Sequence, residues 1–213
     1  MKSIRLLLIR HARTTWNAQG RIQGWADPPL DDVGYRQARA LALNLKSQPI
    51  DIIYSSPLQR ARITAEFLAA EQRAGKGISV RLDDRLRERQ IGLLTGLTWA
   101  EATQRFPDWA ARAAENGWGL HPPPEAESLA DLKLRLIAAL NDITRWHDGQ
   151  TVAVVSHSGS LNAYLQHLLQ LADDSTVRFR IPHASITHIL LVNKQVLVQV
   201  IGDDRYSRSE SLF

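Results

Sequence analysis

In the stretch IRLLLIRH, residues 4–11, an apolar run of Ile4, Leu6, Leu7, Leu8 and Ile9 stops abruptly on Arg10 and His11. A short run of this kind reads as a buried strand. A second one, Val152, Ala153, Val154 and Val155, is followed by Ser156 and His157. Two imidazoles at the ends of two buried strands can meet at one edge of a sheet, and an arginine beside them completes a site able to hold and attack phosphate.

Further strand-like runs occur at Ile50 to Tyr54, Ile78 to Leu82, Ile186 to Val192 and Val196 to Ile201, and the segments between carry helical spacing. This alternation indicates an α/β layer structure. Between Asp32 and Lys46, Val33, Ala38, Leu41, Leu43 and Leu45 lie near helical spacing, and Pro49 ends the segment. Pro57 fits a first helical position capped by Ser55 or Ser56, with Leu58, Ala61, Ala65 and Leu68 as the apolar stripe. Ser128 caps a long helix through Leu132, Leu136, Leu140 and Ile143, and a further helix opens after His157 and runs from about Gly159 to Leu171. The strand ends at His11, Ser55 and His157 therefore point at one pocket, because helix N-termini beyond strand ends attract anions.

Two segments break the pattern. Trp16 to Leu30 mixes glycine, proline and polar residues without periodicity and reads as an active-site loop. Leu97 to Pro124 contains Trp99, Phe106, Trp109 and Trp118, and reads as a helical insertion over the pocket mouth whose large side chains either line a substrate site or pack on the domain. Residues 204–213 read as a polar tail.

The 213 residues read as one domain. The absence of cysteine excludes a disulfide framework, a thiolate nucleophile and a cysteine-ligated zinc site. The N-terminal apolar run is too short for a signal-peptide core, and no stretch approaches the ~20 apolar residues of a membrane helix, so a cytoplasmic protein without membrane association is expected. The net charge is +4, and the only lysines are Lys2, Lys46, Lys76, Lys133 and Lys194. Arginine's planar fork suits phosphate and carboxylate. Bases and acids are interspersed, without a basic run flanked by aromatics, so no nucleic acid partner is expected.

A phosphate monoester carries about −2 charge and repels anionic nucleophiles, so a neutral imidazole beside arginines is a sensible attacking group. Guanidinium charges lower an imidazole's pKa and would keep His11 neutral. One ring nitrogen must then be held by an acceptor such as a backbone carbonyl, so that the other presents its lone pair in line with the leaving oxygen. His157 would stabilise charge on the equatorial phosphoryl oxygens.

Arg10, His11, Thr14, Asn17, Arg21, Gln23, Gly24, Asp27, Pro29, Leu30, Gly34, Gln37 and Ala38 form one block. Ser56, Pro57, Leu58, Arg60, Ala61, Thr64 and Ala65 form a second, Leu86, Arg87, Glu88, Gly92 and Gly96 a third, Glu127 and Ser128 a fourth, and His157 and Gly159 the last. In this order along nearly the whole chain they resemble the histidine phosphatase (phosphoglycerate mutase-like) superfamily. With the alternation of strands and helices, the resemblance implies a three-layer α/β/α sandwich around a mostly parallel mixed sheet of about six strands. It implies that His11 is the nucleophile that becomes phosphohistidine, that Arg10, Arg60 and His157 form the phosphate pocket, and that Glu88 is the proton donor to the leaving alcohol. Asn17, Thr14 and Ser158 would add phosphate contacts. It implies no metal and no cofactor, because the arginines neutralise charge.

Three residues depart from the family pattern. Ala12 stands where glycine is usual and is expected to narrow the phosphate pocket or shift His11. Thr95 stands where the family's phosphatases commonly have glutamate, and Ser158 where a second glycine commonly follows the histidine. The expected function is metal-independent hydrolysis of a small phosphorylated metabolite. Alternatives are a cofactor-dependent phosphoglycerate mutase, whose signature the segment RQIGLLTGLTWAEA after Glu88 resembles less, and a phosphate-ligand binding module without turnover. Among phosphatases, an α-ribazole phosphate-cleaving enzyme and a broad-specificity enzyme both remain open, as does a homodimer.

Overall fold

The computed structural model describes residues 3–76, 78–116, 121–172, 175, 177–193 and 195–208; Trp118 and tail residues 209–213 lie outside them. The six strands are β1 (Ser3–Arg10), β2 (Ile52–Ser55), β3 (Val80–Leu82), β4 (Thr151–Ser156), β5 (Ile186–Val192) and β6 (Gln195–Asp203). The helices are α1 (Thr15–Ala18), α2 (Asp32–Asn44), α3 (Gln59–Lys76), α4 (Trp99–Arg105), α5 (Pro107–Asn116), α6 (Leu129–Trp146), α7 (Ser158–Leu168) and α8 (Arg205–Arg208).

The strands form one sheet in the order β3-β2-β4-β1-β5-β6. β1, β2, β3 and β4 are parallel, whereas β5 runs antiparallel to both β1 and β6. Strand alternation explains the layers, since side chains point to opposite faces at period two. Leu6 and Leu8 pack with Leu132, Leu136 and Leu140 of α6 and Leu161 and Leu165 of α7. Leu7 and Ile9 pack on the other face with Ala38 and Leu41 of α2 and Ala61, Ala65 and Leu68 of α3. The chain is thus the expected three-layer α/β/α sandwich.

Several boundaries differ from expectation. α3 begins at Gln59, two residues after Pro57, because Ser56 Oγ accepts from Leu58 N (3.3 Å) and Asp27 accepts from Gln59 N (2.7 Å), so a carboxylate from the preceding loop caps the helix. Ser128 caps α6 by accepting from Asp131 N, as its position suggested. The Trp16 to Leu30 loop opens with the short α1, capped by Thr14, and its end is pinned by a bridge between Thr14 and Leu30.

α4 and α5 form the helical part of the 97–124 segment and bury Trp109 with Ile91, Leu94 and Ala102 in a cluster of their own. At the other extreme of the sheet, the edge strand β6 exposes Val196 (42%), Leu197 (54%) and Val200 (40%), an apolar edge that the sequence alone did not single out. Among the described residues, no helix is long and apolar enough to cross a membrane.

Candidate active site

The parallel register brings the two histidines together. Arg10 pairs with Ser156, so the residues that follow, His11 and His157, leave adjacent strands at the same edge, and His11 N donates to Ser156 O (3.0 Å). Their ring centroids are 5.2 Å apart. Ser56, leaving β2 on the other side of β4, completes the row through its N–H to Val155 O. This is the carboxyl edge of the strands, where open α/β sheets place their ligands.

A cavity of about 430 Å³ opens over this edge. Arg10, His11, Asn17, Arg60, Glu88 and Ser158 are among the residues around it. His157 is fully buried beside His11, and Thr14 does not line the cavity. The expected contact from Thr14 is therefore corrected. Its side chain and backbone N–H both engage Asn17 Oδ1 (2.9 and 3.1 Å), which leaves Asn17 Nδ2 as the donor on offer to a ligand. Thr14 thereby positions Asn17, its own hydroxyl being fully buried and committed to the capping box.

Hydrogen bonding fixes the tautomer of His11. His11 Nδ1 lies 2.7 Å from Ala12 O, a pure acceptor, so Nδ1 carries the proton and Nε2 keeps its lone pair. Burial, and then the charges of Arg60, His157, Arg10 and His183, hold its pKa well below the ordinary value. Burial is the larger cause, ahead of the guanidinium charges from which the sequence argument started. His157 is shifted the same way, by burial first and then by Arg60, Arg10 and Arg135. Its Nε2 lies 2.8 Å from Ser56 Oγ, while its Nδ1 is buried without a protein partner.

The two arginines are held by carbonyls rather than neutralised by carboxylates in close contact. Arg60, 1% exposed, donates to Gly24 O and Ala26 O (both 2.7 Å), and its separation from Asp27 is 3.9 Å. Arg10 donates to Ile181 O and lies 2.7 Å from His183 Nε2. Burial lowers both guanidinium pKa values to about 10, opposed by the charge of Glu88, so both remain cations at neutral pH.

Glu88 is set by three anchors. Arg135, paired with Glu127 (2.6 and 2.8 Å), donates to the carbonyls of Arg85, Arg87 and Glu88, and Trp25 Nε1 also donates to Glu88 O. The carboxylate then caps α7, accepting from Gly159 N (2.9 Å) and Ser160 N (3.0 Å). A Cβ at Gly159 would lie 2.5 Å from Glu88 Oε1 and would force that carboxylate to shift.

The departures from the family pattern are placed as follows. The expected narrowing by Ala12 is not seen, because its methyl is fully buried in the apolar layer under β1, away from the cavity, and its φ is not positive. Thr95 is exposed and donates to Gly92 O, outside the cavity wall. Ser158 opens α7 at the cavity. The insertion's Trp99, Phe106 and Trp109 do not wall the cavity; its apolar side comes from Ile22, Ile91, Leu129, Leu132 and Phe179. Trp109 and Phe106 pack on the domain, whereas Trp99 is half exposed with its ring edge-on to Trp109.

Sequence reasoning missed His183, whose ring centroid is 5.7 Å from that of His11, and also Asn162, Gln166 and Arg178. His183 precedes a strand instead of following one. The available signal was the Pro182-His183 pair just ahead of the β5 run.

Comparison with known proteins places the family and the fold. The profile of the histidine phosphatase superfamily (branch 1) matches residues 6–204. A metal-independent phosphoserine phosphatase of Arabidopsis thaliana is 37% identical over 167 residues, 78% of this chain and 68% of the relative. Phosphoserine phosphatase 1 of Hydrogenobacter thermophilus is 36% identical over 166 residues, 78% of this chain and 76% of the relative. The solved structure of Bacillus stearothermophilus YhfR superposes with a TM-score of 0.86 at 30% identity, covering 96% of this chain and 99% of that one. A matching profile over residues 6–204, with phosphatase relatives at 36–37% identity and a solved structure of the same fold, makes this chain a member of the histidine phosphatase superfamily, branch 1, and a phosphoric monoester hydrolase.

Proposed function

We propose that the chain hydrolyses a small phosphorylated metabolite by two displacements at His11. The observation that carries this reading is the pair of buried imidazoles 5.2 Å apart, with His11 Nδ1 tied to Ala12 O so that Nε2 is the free nucleophile. Nε2 attacks phosphorus, the bond to the substrate oxygen breaks, and the Glu88 carboxyl gives the leaving alkoxide its proton. Water then attacks the phosphohistidine, Glu88 takes a proton from it, and breaking of the P–N bond restores His11.

Arg10, Arg60 and Asn17 Nδ2 neutralise and orient the phosphoryl oxygens, and Ser158, opening α7 at the cavity, adds its contact there. His157 Nδ1 donates to one of those oxygens if Ser56 Oγ–H donates to Nε2, an arrangement the 2.8 Å contact supports. The α4–α5 segment serves as an insertion beside the loop that carries Glu88.

The alcohol half of the site has apolar walls, and among the described residues the cavity meets Arg21, paired with Glu101 at 3.1 Å, and Arg89 and Arg178, but no carboxylate besides Glu88. Arg178 Nη1 donates to the carbonyls of Ser175 and Val177 beside the cavity. A phosphorylated hydroxy acid therefore suits the site better than a substrate that must pair an ammonium group. For a homodimer, edge strand β6 offers the surface, and sedimentation equilibrium decides its occupancy.

Hydrolysis of p-nitrophenyl phosphate in the presence of a chelator, beside His11→Ala, tests the reading. Turnover by the wild type and its loss in the variant are expected. Wild-type inactivity at saturation would favour a binding module, and 2,3-bisphosphoglycerate-dependent interconversion of phosphoglycerates would favour a mutase.

A further inference from the structure

His183 holds Arg10 from the side. It belongs to the segment between α7 and β5, which is stitched to the nucleophile's own backbone: Arg10 N donates to Ser185 O, and Ala184 N donates to Arg10 O (3.1 Å) and His11 O (3.3 Å). Ala184 adopts φ 52°, a left-handed conformation that costs an alanine about 1 kcal/mol or more, and Ser185 Oγ closes the turn on Pro182 O (2.7 Å). This strained turn brings His183 Nε2 to 2.7 Å from Arg10 Nη2.

A guanidinium only donates, so Nε2 accepts and the ring is neutral with its proton on Nδ1. Burial, then Arg10 and Arg13, lower the pKa of His183 to about 3, consistent with that state. Arg10 is thereby fixed between two uncharged acceptors, Ile181 O and His183 Nε2, while its buried Nε has no protein partner and is left for a phosphoryl oxygen.

We infer that His183 is a positioning residue that aims the Arg10 guanidinium at the phosphoryl group without neutralising it. This rests on the reading of Arg10 as a phosphate donor. A carboxylate in the same place would make a stronger bond to Arg10 and yet weaken the site, because it would cancel the charge the phosphate needs and add repulsion of its own.

The test compares His183→Gln, His183→Glu and His183→Ala, using calorimetric titration with inorganic phosphate and kcat/KM on p-nitrophenyl phosphate. Glutamine and glutamate have the same size and reach, and differ in charge. Glutamine is expected to stay within about threefold of wild type. Alanine should lower phosphate affinity and kcat/KM about tenfold to a hundredfold, the worth of a charged hydrogen bond. Glutamate should fall at least as far as alanine.

Equal behaviour of the glutamine and glutamate variants, a glutamine variant as weak as alanine, or an alanine variant like wild type would overturn the inference. If the alanine variant fails to fold, the isosteric pair still decides. Phosphate titration reads the inference even if the wild type turns over nothing, in which case the proposed function fails separately. Nitrogen NMR should find the His183 proton on Nδ1; a proton on Nε2 contradicts the bond to Arg10.

Discussion

Acid should unfold this protein early, through the same histidines that do its chemistry. His11 and His157 are held well below the ordinary pKa, chiefly by burial, and His183 is lowered to about 3. Each ring is therefore neutral when folded but takes a proton in the unfolded chain below about pH 6.5. A depressed folded pKa means that the stabilising contribution is complete above the unfolded value and is lost as pH falls towards the folded one.

For one such group the loss between pH 7.5 and pH 5.5 is about 1.4 kcal/mol, and for three it is about 4 kcal/mol. Half-buried His188 acts in the same direction. The carboxylates with depressed values, Asp83, Asp203 and Glu101, act only at lower pH, near their ordinary values of 3.8 for aspartate and 4.5 for glutamate. Against a typical total of about 5–15 kcal/mol the effect is large. Urea unfolding at the two pH values measures it, and His157→Gln should reduce the difference by about 1.4 kcal/mol whatever its absolute stability. Stability that is flat or rises towards pH 5.5 would refute the claim that these rings are buried neutral.

Glu88→Gln should lower kcat/KM, which reports the first displacement, about a hundredfold to ten-thousandfold on alkyl phosphates and much less on p-nitrophenyl phosphate, whose leaving group needs no proton; equal losses of kcat/KM on both would remove Glu88 from the role of acid. Gly159→Ala should cost about a hundredfold in kcat, because the added Cβ displaces the Glu88 carboxylate, while circular dichroism shows an unchanged fold. Ala12→Gly should destabilise by about 1–2 kcal/mol through loss of a buried methyl and gain of chain entropy, with KM unchanged. A marked fall in KM would show that the methyl does crowd the phosphate after all.

The strands were legible because their burial is written as apolar runs, and the site was legible wherever a parallel strand ends on a polar residue, as at His11, Ser56 and His157. The rule behind that reading looks beyond the carboxyl end of a strand. β5 runs the other way, so its beginning faces the site, with Ile186 paired to Ile9, and His183 escaped notice for that reason. Thr14 was misplaced because a motif gives the neighbourhood of a hydroxyl but not its direction, and here the hydroxyl turns to Asn17.

The start of α3 moved because Asp27, distant in sequence, supplies the cap. The tryptophans of α4 and α5 looked equally suited to a pocket and to a core, and only the packing of Trp109 on Ile91 and Leu94 separates the two. The weight of burial over charge in lowering His11 depends on three-dimensional enclosure, which no local pattern encodes.

The central claim is that the phosphoryl group passes through His11. Mixing the enzyme with substrate, quenching into alkali and mapping the phosphorylated peptide by mass spectrometry tests it directly. The account predicts a phosphoryl group on His11 and none in His11→Ala. Phosphate found on another residue, or released by His11→Ala at the wild-type rate, would contradict it.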